Sequence, residues 1–129
     1  MTSTKLNPTT IAPPVGAYSH GVIAPASGEW LYISGQIGVL PDGALANGFA
    51  EQARAAWTNV VAILKSASMD VGHLVKVTTY LTDGNDLMYL NPVRSGFLGD
   101  ARPASTLVIV KALVKPEWLI EVEAVAHRG

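Results

Sequence analysis

The sequence contains no cysteine, which removes disulfides, thiol nucleophiles and thiolate metal sites together and leaves the redox compartment unreadable from thiol usage. It is also short of charge. Only 15% of the residues are charged, nine Lys and Arg against ten Asp and Glu, for a net charge of −1. With a pI near 6.3 there is no basic surplus of the kind polynucleotide binding needs, so no nucleic acid is expected as a partner. No apolar run approaches the ~18 residues of a membrane span, and Met1 to Pro14 lacks the basic, apolar and small-residue pattern of a secretion signal. A cytoplasmic protein with no membrane partner is the expectation.

What is present is apolar. Hydrophobic residues make up 49% of the 129, in a chain expected to form one domain over 1–129 that buries about two thirds of its unfolded surface. That is more greasy surface than a monomer core of this size absorbs, which points to self-association.

Periodicity divides the chain. Met1 to Pro14 reads as an irregular lead-in. Ala17 to Ile23 and Trp30 to Ile37 read as strands, with Pro25 and Ser27-Gly28 between them as the turn of a hairpin. In the second, Leu31, Ile33 and Ile37 share one face, while Trp30, Tyr32, Ser34 and Gln36 share the other. Gly35 inside it signals a bulge or a close approach. Phe49 to Ser68 switches to helical period, with Phe49, Ala53, Ala56, Trp57, Val60, Ile63, Leu64 and Ala67 in one stripe. Leu74 to Leu81 is a third strand rich in β-branched residues, placing Val75, Val77, Thr79 and Leu81 on one face. Asp86 caps a second helix that runs to Phe97 or Leu98 across Pro92. Pro103 to Val110 is a fourth strand, and Leu119 to His127 a fifth. An α+β two-layer sandwich follows, with a mixed sheet and both helices on its apolar face.

The last strand carries the argument about function. Ile120, Val122, Ala124 and Ala126 share a core face. Glu121 and Glu123 lie on the other, about 7 Å apart, and a buried carboxylate there costs several kcal/mol unless paired. That face also collects Ser34, Gln36, Thr78, Tyr80, Trp30, Tyr32 and Val125, too apolar for water and too polar for a core; burial between subunits satisfies both.

Other chemistries fit less well. Glu121 and Glu123 meet a glycosidase on distance alone, but neighbours on one strand do not flank a sugar. Ser19 and His20 point to opposite faces and make no catalytic pair, there is no phosphate-cradling glycine loop, and the three histidines lack metal-site spacing. His20 shares a face with Tyr18, where a proton-shuttling role is open to it; His73 and His127 are expected to face solvent.

Four stretches carry a resemblance: residues 12–20 (Ala-Pro-Pro-Val-Gly-Ala-Tyr-Ser-His), 31–37 (Leu-Tyr-Ile-Ser-Gly-Gln-Ile), 75–83 (Val-Lys-Val-Thr-Thr-Tyr-Leu-Thr-Asp) and 120–126 (Ile-Glu-Val-Glu-Ala-Val-Ala). In order and spacing they resemble the RidA/YjgF family. The resemblance implies a chorismate-mutase-like fold and a homotrimeric barrel with ligand clefts between subunits. It also implies hydrolysis of reactive enamine or imine intermediates to a ketoacid and ammonia. No metal or cofactor is implied. Carried over by position, Glu121 would orient the attacking water, while Tyr18, Ser34, Gly35 and Asn91 would line the substrate cleft.

One position departs. Family members that act on 2-aminoacrylate carry Pro-Ala-Arg-Ser, whose arginine grips the substrate carboxylate; here Ser105 stands in its place, within Pro103-Ala104-Ser105-Thr106. Arg102 replaces it only if Pro103 accompanies a bulge or the loop folds back, and Arg94 on the second helix is another substitute. Two functions remain open: a deaminase for a substrate other than 2-aminoacrylate, or a non-catalytic trimer that binds a small organic acid or a protein.

Overall fold

The strongest alternation in the sequence becomes the middle of the sheet. In the computed structural model, which describes residues 3–129, the terminal strand Ile120–Arg128 lies between two antiparallel neighbours, Glu29–Ile37 and Leu74–Leu81. Numbered along the chain, the strands are β1 (Thr4–Leu6), β2 (Gly21–Ile23), β3 (Glu29–Ile37), β4 (Leu74–Leu81), β5 (Ala104–Ile109) and β6 (Ile120–Arg128). The helices are α1 (Phe49–Ser66) and α2 (Leu87–Leu98). The main sheet runs β3-β6-β4-β5. Because β3 and β4 both oppose β6, they are parallel to each other, and α1 makes the crossover that parallel strands require. α2 makes the second crossover, to β5, which pairs parallel to β4. Then β6 inserts between β3 and β4.

Both helices bury their stripes on one face. Ile120, Val122, Ala124 and Ala126 of β6 meet Trp57, Val60 and Leu64 of α1 and Leu90, Val93 and Leu98 of α2, all buried. Trp57 stacks on Phe97 with ring centroids 6.1 Å apart. Two amides on α1 hold the ends of the strands. Gln52 donates to the Glu117 carbonyl and accepts from the Leu119 amide, fixing the entry to β6. Asn59 donates to the carbonyls of Ile37 and Val39. The Pro41-Asp42-Gly43 turn forms as expected, with Gly43 at φ 90° and the Ala44 amide on Asp42 Oδ1.

Four expectations are corrected. The N-terminal hairpin does not form. β2 keeps only three residues of the expected strand and pairs with β1, inside the lead-in expected to be irregular; Met1 and Thr2 of that lead-in lie outside the described residues. β3 instead takes β6, which offers nine residues of partner, while Ser19 is drawn to the start of β5 by its amide on Pro103 and its hydroxyl on the Arg102 carbonyl.

Bulges shift two strand faces by one residue. β3 slips between Ile33 and Gln36, so Ile37 lies opposite Glu121 and leaves the face of Leu31 and Ile33. β4 slips between Leu74 and Lys76, burying Leu74 in place of Val75. One extra residue reverses every later side chain.

Asp86 precedes α2 without a side-chain cap bond. The capping falls to Asp83, which accepts from the Asn85 amide in a short 3-10 turn. Finally, His127 is buried at 4% exposure. Its Nε2 donates to the Ser27 carbonyl at 2.6 Å, and its ring meets Trp30 edge-on at 4.8 Å. The turn before β3 closes over it, which its position near the chain end does not reveal.

Candidate functional site

The open face of the sheet, opposite the helices, carries the acidic group. Glu121 alternates with Ile120 and Val122, so its side chain leaves the core. It crosses β3 at Gly35, where a Cβ would come within 1.9 Å of Glu121 Oε2 and 2.7 Å of its Cδ. The bulge in β3 and the missing side chain at residue 35 thus make a channel along which the carboxylate lies. Among the described residues it accepts no hydrogen bond. Ser34 is exposed beside it, its carbonyl accepting from Gln36 Nε2.

A second pair shares this face. Tyr80 lies opposite Glu121 across β4 and β6, and its hydroxyl reaches diagonally to donate to Glu123 Oε1 at 2.5 Å. That bond, then burial and the charges of Glu123 and Glu121, hold the phenol above its usual pKa of 10.0. Tyr80, Glu121 and Glu123 line a cavity of about 500 Å³ roofed by Val110 and Ala112 to Val114. Sequence alternation places Tyr80 and Glu123 on this face. It does not pair them, because diagonal neighbours depend on the register of two strands about 40 residues apart.

The other expected site residues lie elsewhere in the chain. Tyr18, Asn91 and Arg94 line a cavity of about 390 Å³ between α2, β5 and the loop at 15–18. The Tyr18 hydroxyl accepts from the Val15 amide at 3.3 Å, and Arg94 Nη2 donates to Asn91 Oδ1 at 3.0 Å. Ser105 pairs with Val77 and so shares the β5 face of Leu107, which lines this cavity. His20 is half-buried beside the Tyr18 ring, its Nδ1 without a partner among the described residues. Arg102 is exposed, and its Nη1 donates to the carbonyls of Gly99 and Ala101 at the end of α2. The first cavity opens on the bare face of the sheet and the second beside the helix layer. One chain does not bring Glu121 to Tyr18 and Asn91. Among the described residues no three His, Asp or Glu side chains come together as a metal site.

A family model described as Endoribonuclease L-PSP matches residues 9–128. The chain belongs to the RidA/YjgF family. Its relatives include a bovine protein named 2-iminobutanoate/2-iminopropanoate deaminase, 38% identical over 117 residues that span 89% of this chain and 82% of that one. Among solved structures, the Rid family protein YyfB of Yersinia pestis superposes with a TM-score of 0.88 at 29% identity, covering 99% of this chain and 100% of that one. Escherichia coli TdcF with bound serine gives 0.73 at 34%, covering 98% and 100%. The two helices on a mixed sheet are therefore the family's fold.

Proposed function

We propose that this protein hydrolyses reactive imines, and the enamines that tautomerise to them, to a keto compound and ammonia. The catalytic unit is a homotrimer in which each cleft takes Glu121, Ser34 and Gly35 from one copy and Tyr18 and Asn91 from its neighbour. The observation that carries this reading is Glu121, a carboxylate without a hydrogen-bond partner among the described residues, laid across Gly35 on a face rich in exposed apolar groups. The bovine relative's name supplies the reaction class, and serine in TdcF is a small amino acid held by the same fold.

The chemistry asks little of the protein. Water adds to the imine carbon while Glu121 takes a proton from the water; that proton passes to nitrogen to give the carbinolamine, whose hydroxyl proton then moves by way of Glu121 to nitrogen as the C–N bond breaks, leaving C=O and ammonia. Such acid–base assistance contributes about 10²- to 10⁴-fold. The ribonuclease wording of the family model fits less well, since nine Lys and Arg against ten Asp and Glu leave no basic track for RNA.

Ser105 favours a second reading, a trimer that binds small acids without turning them over. One assay separates them: ammonia release from enzymatically generated 2-iminopropanoate and a panel of other imines, by the native chain and Glu121→Gln. Turnover that the substitution abolishes supports the deaminase. No turnover on any imine by an intact trimer supports the binding protein.

A further inference from the structure

We propose that Arg94 is the group that holds the substrate's carboxylate, so that the protein acts on small carboxylate-bearing imines despite Ser105. This rests on the reading above and names its substrate class.

Arg94 is half-buried on α2, and burial pulls its guanidinium below its ordinary pKa while leaving it charged at neutral pH. Among the described residues Arg94 and the exposed Arg102 form no ion pair, whereas Arg54 and Arg128 each have one, with Glu51 and Glu29. Among the described residues only one of the five N–H groups of Arg94 has a protein acceptor, the Asn91 amide oxygen. That bond also orients Asn91, turning the amide nitrogen away from Arg94 as a further donor.

The space around it suits a small acid. The cavity of about 390 Å³ has apolar walls from Leu87, Leu98 and Leu107, with Tyr18, Asn91, Arg94 and Ser95 as its polar side chains. The Tyr18 oxygen accepts from Val15, which leaves its proton free to donate. The side-chain donors Tyr18, Asn91, Arg94 and Ser95 and no carboxylate line this space, against two carboxylates and a phenol in the cavity on the open face. A planar carboxylate matches the guanidinium fork, and the leucines accommodate a short carbon chain. Arg102, the alternative nearer in sequence, does not line this cavity, and its Nη1 is held by two backbone carbonyls.

The test is binding by the full-length chain, free of turnover: titration with 2-oxobutanoate and with butanone, which lacks the carboxylate, for the native protein, Arg94→Gln, Arg94→Lys and Arg102→Gln, with oligomer size measured for each. The native protein and Arg102→Gln are expected to prefer 2-oxobutanoate. Arg94→Gln should weaken it about 10- to 100-fold, the worth of a charge-assisted bond, with butanone binding unchanged, and Arg94→Lys should recover only part. Equal binding of 2-oxobutanoate by the native protein and Arg94→Gln overturns the proposal, as does the native protein failing to bind it. Loss of the oligomer in both Arg94 variants overturns it too, making Arg94 an inter-subunit contact. Carboxylate binding through Arg94 without imine turnover keeps Arg94 as the carboxylate-holding group and removes the deaminase; imine turnover indifferent to Arg94 does the reverse.

Discussion

Glu121 occupies the space a side chain at Gly35 would need: a methyl there would come 1.9 Å from Oε2 and 2.9 Å from Cγ. No real Cβ tolerates such contacts, so the carboxylate must swing away in Gly35→Ala. Gly35 lacks the positive φ that would make alanine strained, so the fold survives. Imine turnover is expected to fall about 10²-fold, the usual consequence of moving a reacting group by about 1 Å. Steady-state ammonia release, alongside an unchanged melting temperature, checks this.

The Tyr80 phenol is held protonated chiefly by its bond to Glu123. Its folded pKa lies above the unfolded value, so the folded chain binds more protons just above pH 10, and the contribution to stability present below that pH is lost as pH rises through the folded pKa. Ultraviolet titration should find one of the four tyrosines ionising later than free tyrosine. In Glu123→Gln that late step is expected to move to lower pH; an unmoved step would separate Tyr80 from Glu123.

Gln52 satisfies the Leu119 amide and the Glu117 carbonyl from within the helix layer. Leucine at 52 leaves both backbone groups without that partner, at about 1–3 kcal/mol for each that stays dry. Urea unfolding of Gln52→Leu should show a lower midpoint. Loss of Gln52 also frees the entry to β6, so turnover is expected to decline with it.

Thr79 is fully buried on β4 and its hydroxyl has no partner among the described residues. Valine keeps the β-branched shape and discards the unsatisfied group, whose burial costs about 1–3 kcal/mol. Thr79→Val is therefore expected to melt higher than the native protein by calorimetry.

The open sheet face shows Tyr32 at 75% exposure and Trp30 at 38%, and the neighbouring edge strand shows Ile109 at 51%. Sedimentation should report three times the 13.6 kDa chain. Tyr32→Glu, which puts charge on that face, is expected to lower the assembly state and abolish turnover together.

The sequence by itself determined the helix stripe of α1, the extent of β4, the inward residues of β6 and the presence of Glu121 on the opposite face, because each depends on local period and side-chain alternation. The bulge at Gly35 was legible for a similar reason, since a glycine within a strand serves little else. Only the tertiary structure decided which strands pair. Three-residue β2 loses β3 to β6 because a nine-residue partner satisfies more of the β3 backbone, and no local pattern ranks partners about 90 residues apart. Register then fixed what alternation left open: Ile37 changed sides through one extra residue, Tyr80 met Glu123 on a diagonal, and His127 was roofed by the turn at Ser27. The separation of Glu121 from Tyr18, Asn91 and Arg94 was decided there as well, since residue types name candidates for a site but only the packing of sheet against helix says which of them one chain can bring together.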